Sequence, residues 1–157
     1  MSNVRELESK YMQVIADHLE KALDFIPKNF KCKLSTGFED SNLSFDLVVE
    51  SKIVVSVRIR KNQYINYKDM TIRYKSKNNQ PTEFDKIKKG HAQIYFYAYE
   101  SKDQKSFDKV RIVHVDAIRK LIAQERYTVR QNADGTELAA FLFVDIKNCG
   151  GALYKHN

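Results

Sequence analysis

The segment 53–60 constrains the fold of this chain more than any other part of the sequence. It reads Ile-Val-Val-Ser-Val-Arg-Ile-Arg, a strongly β-branched run that predicts a strand. The run is apolar on both faces at its start and then alternates. This pattern is typical of a strand that enters a buried central position and leaves at a polar surface. We therefore expect a sheet with this strand inside it.

An amphipathic helix and two further strands precede this segment. Apolar residues recur at spacings of three and four over 7–26, and Pro27 ends the pattern. Strands are predicted over 30–34 and 43–49, where apolar and polar residues alternate. Because the connections are short, these two strands and 53–60 are expected to form an antiparallel meander.

The rest of the chain continues to alternate between strands and helices. The predicted elements are a strand over 70–74, a helix that opens at Thr82 with Asp85 in a capping box and Gly90 at its end, strands over 92–99 and 109–115, a helix capped by Asp116, a turn over 132–135 and a strand over 138–146. This order predicts an α/β fold in which a mixed β-sheet is flanked by helices. No long linker divides the chain, so a single domain is expected over 1–157.

Composition excludes several classes of protein. With 43% hydrophobic residues, 5 Gly and 2 Pro, the chain is neither collagen-like nor largely disordered. No apolar run reaches the roughly 18 residues that a transmembrane helix needs, so no membrane partner is expected. The first ten residues carry four charges and lack the apolar region of a secretory signal.

Cysteines and histidines give no motif for a metal or a nucleophile. Cys32 and Cys149 are too few for a disulfide framework, and free thiols in a reducing cytoplasm are expected. The four histidines show no ligand-pair spacing. His18, beside the apolar stripe of the first helix, and His114, near a strand end, are both predicted to be structural.

The positive charge is concentrated in the segment 51–90. This segment holds eleven basic and three acidic side chains, a net charge of +8, whereas the whole chain carries +7. A concentrated excess predicts a binding surface, with nucleic acid, an anionic surface or an acidic protein as partner.

Arginines and tyrosines within this segment fit nucleic acid best. Arg58 and Arg60 alternate with apolar residues, so both guanidiniums are expected on one exposed face, where their forks match phosphate geometry. Tyrosines interleave with the charges as a base-stacking platform would require, and packing over a sheet edge is the alternative. The predicted nucleic-acid contacts are Arg58, Arg60, Lys61, Tyr64, Arg73, Lys75, Lys77, Lys86 and Lys89. For the lysines near the helix end, interaction with the helix dipole is the alternative.

One acid interrupts an apolar strand and leads to a resemblance. Asp46 lies in the second strand, where a solvent-facing carboxylate is the alternative interpretation. A helix, a meander with this acid and an apolar third strand that leaves through basic residues, followed by a helix and a strand, resembles the PD-(D/E)xK nuclease-like fold. That resemblance implies a restriction-endonuclease-like architecture with an αβββαβ core.

The resemblance also implies a catalytic site. The first acid of the family falls on Asp46, which would be a catalytic residue and a ligand of Mg²⁺. The second half of the family's motif is an acid, any residue and then a lysine. It falls on Ser56-Val57-Arg58, or two residues later on Arg58-Ile59-Arg60, and neither alignment supplies the acid. Glu83 or Glu8 would then stand in as the second carboxylate.

Three functions follow from the sequence. The first is a nucleic-acid-binding protein, with DNA expected, on the scaffold of a degenerate nuclease. The second is an active Mg²⁺-dependent nuclease that uses Asp46 with Glu83 or Glu8. The third is a small basic accessory protein of a phage or mobile element that binds and inhibits an acidic or nucleoprotein complex.

Overall fold

The computed structural model describes residues 4–22, 32–34, 44–49 and 53–157, and the side chains of 11–22 and 53–157. In chain order the helices and strands are α1 (Val4–Ala22), β1 (Cys32–Leu34), β2 (Ser44–Val49), β3 (Ile53–Arg60), β4 (Asp69–Lys75), α2 (Glu83–Lys88), β5 (Ile94–Glu100), β6 (Phe107–His114), α3 (Val115–Ala123), β7 (Thr128–Gln131), β8 (Glu137–Leu142), α4 (Phe143–Asn148) and β9 (Ala152–His156). A 3-10 turn over Asn62–Tyr64 follows β3. The predicted α/β class is confirmed, while the end of the first helix at Pro27 lies outside the described residues.

The chain divides into two compact units. Unit 1 comprises Met1–Asn66, Ile94–Val113 and Leu153–Asn157, and unit 2 comprises Tyr67–Gln93 and His114–Ala152. The expectation of one domain over 1–157 stays a prediction. Each unit has its own sheet and is described by itself.

Unit 1 contains a mixed six-stranded sheet. Its strand order is β1-β2-β3-β5-β6-β9. The pairs β1–β2 and β2–β3 are antiparallel, which confirms the predicted meander, and β3 pairs with β5 in parallel. The strongly β-branched strand β3 therefore lies inside the sheet, as its composition predicts.

Helix α1 supplies the core of unit 1 on one face of this sheet. Tyr11, Ile15 and Leu19 recur every four residues, so they share one helix face, and all three are fully buried. They cluster with residues of β3, β5 and β6, namely Val55, Val57, Ile59, Ile94, Phe96, Ala98, Phe107, Val110 and Ile112. The Tyr11 ring stacks on Phe107 at 5.1 Å, and its hydroxyl donates to Glu100 Oε2 at 2.7 Å. The odd-numbered residues of β3 thus face α1, and its even-numbered residues lie on the other face.

Unit 2 contains a three-stranded antiparallel sheet and three helices. The strand order is β4-β8-β7. An aromatic cluster joins the sheet to α2, with ring centroids 4.8 Å apart for Tyr74 and Phe84 and 5.3 Å apart for Phe84 and Tyr127. Phe84 and Ile87 are buried, so the short helix α2 is fixed by its apolar side.

Local caps of unit 2 match the sequence in one case and correct it in another. The capping box of α2 is confirmed, because Thr82 N donates to Asp85 Oδ2 at 2.9 Å and the Thr82 side chain accepts from Asp85 N. The prediction that Asp116 caps α3 is wrong. The cap is His114, whose Nδ1 accepts from Asp116 N at 3.2 Å, so His114 has the predicted structural role.

The predicted late strand over 138–146 is wrong in its second half. Strand β8 ends at Leu142 and α4 begins at Phe143. The helix ends where Gly150 adopts a φ of 75° and Gly151 N donates to Ile146 O at 2.9 Å. The turn over 132–135 is confirmed by the hydrogen bond from Gly135 N to Asn132 O, and it joins β8 to a strand, β7, that the sequence did not predict.

His18 is a buried histidine near the C-terminal end of helix α1. Its Nδ1 lies 3.0 Å from Tyr154 Oη, and its ring lies 5.0 Å from the ring of His156. Burial, reinforced by the positive charge of His156 and Lys21, lowers the pKa of His18 from 6.5 to about 4. The structural role predicted for His18 agrees with these contacts.

We expect the free energy of unfolding to fall as the pH drops from 6.5 toward 4. Over this range the unfolded chain takes up a proton at His18, and the folded protein does not until about pH 4. Above pH 6.5 the group is neutral in both states and the loss is absent. His18→Gln should reduce the difference between the free energies of unfolding measured with urea at about pH 7.5 and about pH 5.

His91→Gln is the matched control, because His91 is half-buried and lies in unit 2. It should keep the wild-type dependence on pH. Parallel curves for the wild type and His18→Gln would contradict the assignment to His18.

Candidate nucleic-acid interface

The structure divides the predicted nucleic-acid contacts between the two units. Unit 1 holds Arg58, Arg60, Lys61 and Tyr64, and unit 2 holds Arg73, Lys75, Lys77, Lys86 and Lys89. The basic segment 51–90 is therefore not one structural element. Its two sets of residues have different surroundings.

Arg58 is buried, contrary to the expectation of an exposed guanidinium. Its residue exposure is 1%, and it is the largest of the fully buried side chains among the described residues. The alternation of β3 correctly places it on the face away from α1. On that face its partners in the register are Ser44 on β2 and Tyr97 on β5. Because β3 has a strand on either side and this face is also buried, Arg58 is not part of an exposed basic surface.

Tyrosines of β5 share the face of Arg58. Tyr95, Tyr97 and Tyr99 pair in order with Ser56, Arg58 and Arg60. All three residues are essentially fully buried, so this tyrosine run is part of the core. The central part of this face is therefore built from large polar side chains that pack inside the protein.

At the end of β3 the basic residues reach a more open environment. The Arg60 guanidinium lies 4.6 Å above the Tyr64 ring, and Lys61 is exposed. The turn between them is fixed by Asn62, whose Nδ2 donates to Glu100 O at 3.0 Å and to Asp108 Oδ2 at 2.9 Å. One face of the Tyr64 ring is thus covered by Arg60.

Unit 2 carries a compact basic surface, which we call the lysine surface. It consists of residues from the end of β4, the connection that follows and α2, namely Arg73, Lys75, Lys77, Lys86, Lys88 and Lys89. Four of its lysines are exposed, and Arg73 and Lys86 are half-buried. Because Phe84 and Ile87 take up the buried side of α2, the lysines of this helix lie on the side left to solvent.

Hydrogen bonds of the connection hold the two ends of the lysine surface together. Gln80 N donates to Ser76 Oγ at 2.9 Å, and Thr82 Oγ1 donates to Tyr74 O at 3.3 Å. These bonds close the loop between β4 and α2. The stretch 75–80, whose composition is the most polar in this region, is therefore an ordered turn that presents Lys75 and Lys77.

Acids near the lysine surface neutralise only part of its charge. The Glu83 carboxylate accepts from Arg73 N at 3.3 Å, and Asp85 is used in the capping box. Hydrogen bonds from Thr136 lower the pKa of Asp134, and the charges of Lys77 and Arg73 lower it further. Asp134 therefore stays ionised near these two cations.

The carboxylates that the resemblance implies are distributed over different elements. Asp46 lies on β2, directly opposite Ser56 in the register, and its side chain is outside the described residues. Glu83 belongs to unit 2. Glu8 lies in α1, which packs on the face of Val55 and Val57, and its side chain is also outside the described residues.

The register selects one of the two alignments with the nuclease pattern. Asp46 is opposite Ser56, so Ser56-Val57-Arg58 is the segment beside it. The position of the second acid thus carries a serine, and the position of the lysine carries a buried arginine. One carboxylate, a hydroxyl and a buried cation do not fit Mg²⁺, which binds through carboxylate oxygens. In the part of the chain with described side chains, no group of three or more His, Cys, Asp or Glu residues is placed to hold a metal ion.

A further pair of residues, which sequence reasoning missed, lies at the start of β4. Arg130 Nη2 is 2.5 Å from Asp69 Oδ2, and the Arg130 guanidinium lies 5.7 Å from the centroid of the Tyr67 ring. Arg130 belongs to β7, a strand without a recognised sequence signal. Of these three residues, only Tyr67 has a sequence signal, because it is one of the tyrosines that interleave with the basic residues.

Comparisons with known proteins supply no relative. A scan of family models finds no match, and neither do searches among curated proteins and solved structures. Over the described ranges, no helix combines the length and the apolar character that crossing a bilayer requires.

Stability measurements should separate the buried arginine from the exposed lysines. We expect Arg58→Ala to lower the free energy of unfolding by more than about 2 kcal/mol, because it removes a large, fully buried side chain. Lys75→Ala, at an exposed position of unit 2, should stay within about 0.5 kcal/mol of the wild type. Urea unfolding at neutral pH measures both, and equal stability of the two variants would contradict the burial of Arg58.

Proposed function

We propose that this protein binds nucleic acid through the lysine surface of unit 2. The observation that supports this is the convergence of exposed lysines from a strand end, an ordered turn and a short helix. Unit 2 as a whole carries twelve basic and eight acidic side chains, so its net charge is +4. When lysines neutralise phosphates, the counterions condensed on the nucleic acid are released. This release favours binding even without contacts to the bases.

The composition of the lysine surface favours nucleic acid over a protein partner. Stable protein interfaces have an apolar centre and contain few lysines. Here the apolar residues of α2, Phe84 and Ile87, are buried within unit 2, and the exposed side of the helix carries Lys88 and Lys89. A phosphate backbone needs only such a polar, positively charged surface.

We further propose that the protein is built on the scaffold of a degenerate nuclease, with DNA as the expected ligand and the cytoplasm as the expected location. The order of α1, the meander β1–β3, helix α2 and β5 supports this, since β5 returns parallel to β3. The pairing of β2 with β3 also places Asp46 beside the strand on which the resemblance puts the second half of the motif. The serine and the arginine of Ser56-Val57-Arg58 explain why a scaffold of this kind would bind without cleaving.

Removal of the exposed lysines should weaken binding and its dependence on salt. In the variant Lys75→Ala/Lys77→Ala/Lys88→Ala/Lys89→Ala, we expect the slope of log K against log salt to decrease by about 0.7–0.9 for each lost phosphate contact. Fluorescence anisotropy of labelled DNA and RNA between about 50 and 200 mM salt measures this slope.

Exposed lysines of unit 1 provide the matched control. The variant Lys102→Ala/Lys105→Ala/Lys155→Ala removes a similar charge outside unit 2 and should keep most of the wild-type slope. A wild-type affinity that does not change with salt would contradict the proposed function and leave an acidic protein as the partner to look for.

Incubation with Mg²⁺ or Mn²⁺ should not lead to cleavage of single-stranded or double-stranded DNA or RNA. The reason is that the register places a serine, not a second carboxylate, beside Asp46. Gel analysis of end-labelled substrates measures cleavage, and Asp46→Asn is the control for contaminating nuclease. Cleavage that needs the metal and disappears in Asp46→Asn would establish the nuclease hypothesis instead.

A further inference from the structure

An exposed apolar patch lies at one end of the unit 2 sheet. Among the described residues, the large hydrophobic side chains with the greatest exposure all belong to unit 2. Three of them are Tyr67 at 49%, Leu142 at 46% and Val144 at 56%. Exposed apolar groups that occur together mark a binding site more often than scattered ones do.

The pairing of β4 with β8 brings these three residues to the same end of the sheet. Leu142 is opposite Asp69 in the register, and the ladder continues through a 3.0 Å hydrogen bond from Phe143 N to Lys68 O. Tyr67 directly precedes this bond, and Val144 directly follows it in the first turn of α4. The patch is therefore a consequence of backbone pairing.

An arginine is fixed beside the tyrosine of this patch. The Arg130 guanidinium lies 5.7 Å from the centroid of the Tyr67 ring and binds the Asp69 carboxylate at 2.5 Å. Asp69 is only 6% exposed, so it anchors the guanidinium from inside the protein. The Arg130 side chain itself is 44% exposed. An aromatic ring and a planar cation are thus held together at the surface.

We propose that Tyr67 and Arg130 form a stacking platform for an unpaired nucleobase, so that the ligand of this protein is a nucleic acid with a single-stranded region. This inference rests on the proposed function and names the class of nucleic acid. Aromatic rings and guanidinium planes are the groups on which proteins stack unpaired bases. Bases inside a duplex are stacked on one another and cannot use such a platform.

The platform and the lysine surface lie at opposite ends of the same strand. Strand β4 runs from Asp69, next to the platform, to Lys75 of the lysine surface. Its seven residues span about 20 Å, a length that a few nucleotides cover. One strand of nucleic acid can therefore place phosphates on the lysines and a base on Tyr67.

A protein partner fits this patch less well. Stable protein interfaces use roughly 20–30 residues on each side, whereas three apolar side chains are exposed together here. The patch also carries Lys68, an exposed cation that would attract a polyanion. Charge and size therefore both favour a nucleotide.

Tryptophan fluorescence provides a direct test of stacking. The chain contains no Trp, so Tyr67→Trp introduces a single reporter at the platform. We expect oligo(dT) to quench its emission and an abasic oligonucleotide of equal length, which carries phosphates without bases, to leave it nearly unchanged. Val129→Trp, at another exposed position of the unit 2 sheet, is the matched control and should show little quenching by either.

Affinities of two substitutions test the same platform without a new fluorophore. Tyr67→Ala should weaken binding of oligo(dT) by about tenfold or more and leave duplex binding unchanged, because a stacked base is lost. Tyr67→Phe keeps the ring and should bind like the wild type.

The outcomes distinguish this inference from the proposed function. Salt-dependent binding by the wild type, combined with no quenching in Tyr67→Trp or with equal quenching by the abasic oligonucleotide, would overturn the stacking platform alone. Equal loss of single-stranded and duplex binding in Tyr67→Ala would also overturn it. A wild type that binds no nucleic acid would overturn the proposed function and this inference together.

Discussion

The parallel pairing of β3 with β5 is the constraint on which the rest of the structure depends. Two parallel neighbours cannot be joined by a tight turn, so the chain between them must cross over. In this protein the crossover is the stretch 61–93, which contains β4 and α2. Most of the basic segment lies in this stretch. Most basic residues of the crossover therefore belong to unit 2 and not to the sheet of unit 1.

Burial separates the basic side chains into two roles. Arg58 is inside the sheet of unit 1, among tyrosines that are buried as well. A buried cation contributes to one folded arrangement and is inaccessible to a large polyanion. Lys75, Lys77, Lys88 and Lys89 are exposed, so they cost the fold little, and under the proposed function they attract phosphates over a distance set by the salt concentration. Basic side chains are thus used for packing in one unit and remain accessible in the other.

The sequence was sufficient for elements whose signals are local. The heptad-like stripe of α1, the β-branched run of β3 and the capping box of Thr82 each determine a short stretch of backbone by themselves. The exposure of Arg58 could not be predicted in this way. Alternation tells which face a side chain lies on, and whether that face is covered depends on residues far away in the chain.

Two elements lacked a decisive local signal. The apolar run 138–146 contains both β8 and the start of α4, and a short apolar run does not distinguish a strand from a helix. Leu142 precedes α4 without a side-chain cap, so the usual mark of a helix start is missing. Strand β7 is exposed throughout and gains its place from pairing with β8. Because Arg130 lies on β7, the platform with Tyr67 could emerge only from the paired sheet.

The site that the nuclease resemblance implies and the site that we propose lie in different parts of the chain. The resemblance depends on the face of β3, where Ser56 replaces an acid opposite Asp46 and Arg58 is buried. The face of β3 that carries Arg58 is filled with large polar side chains, which increases burial in unit 1 at the expense of access. The proposed phosphate recognition therefore needs another surface, and the crossover provides it, because its turn and its short helix carry exposed lysines. The two parts of the proposal, a degenerate nuclease face on β3 and a lysine surface on the crossover, are thus compatible within one topology.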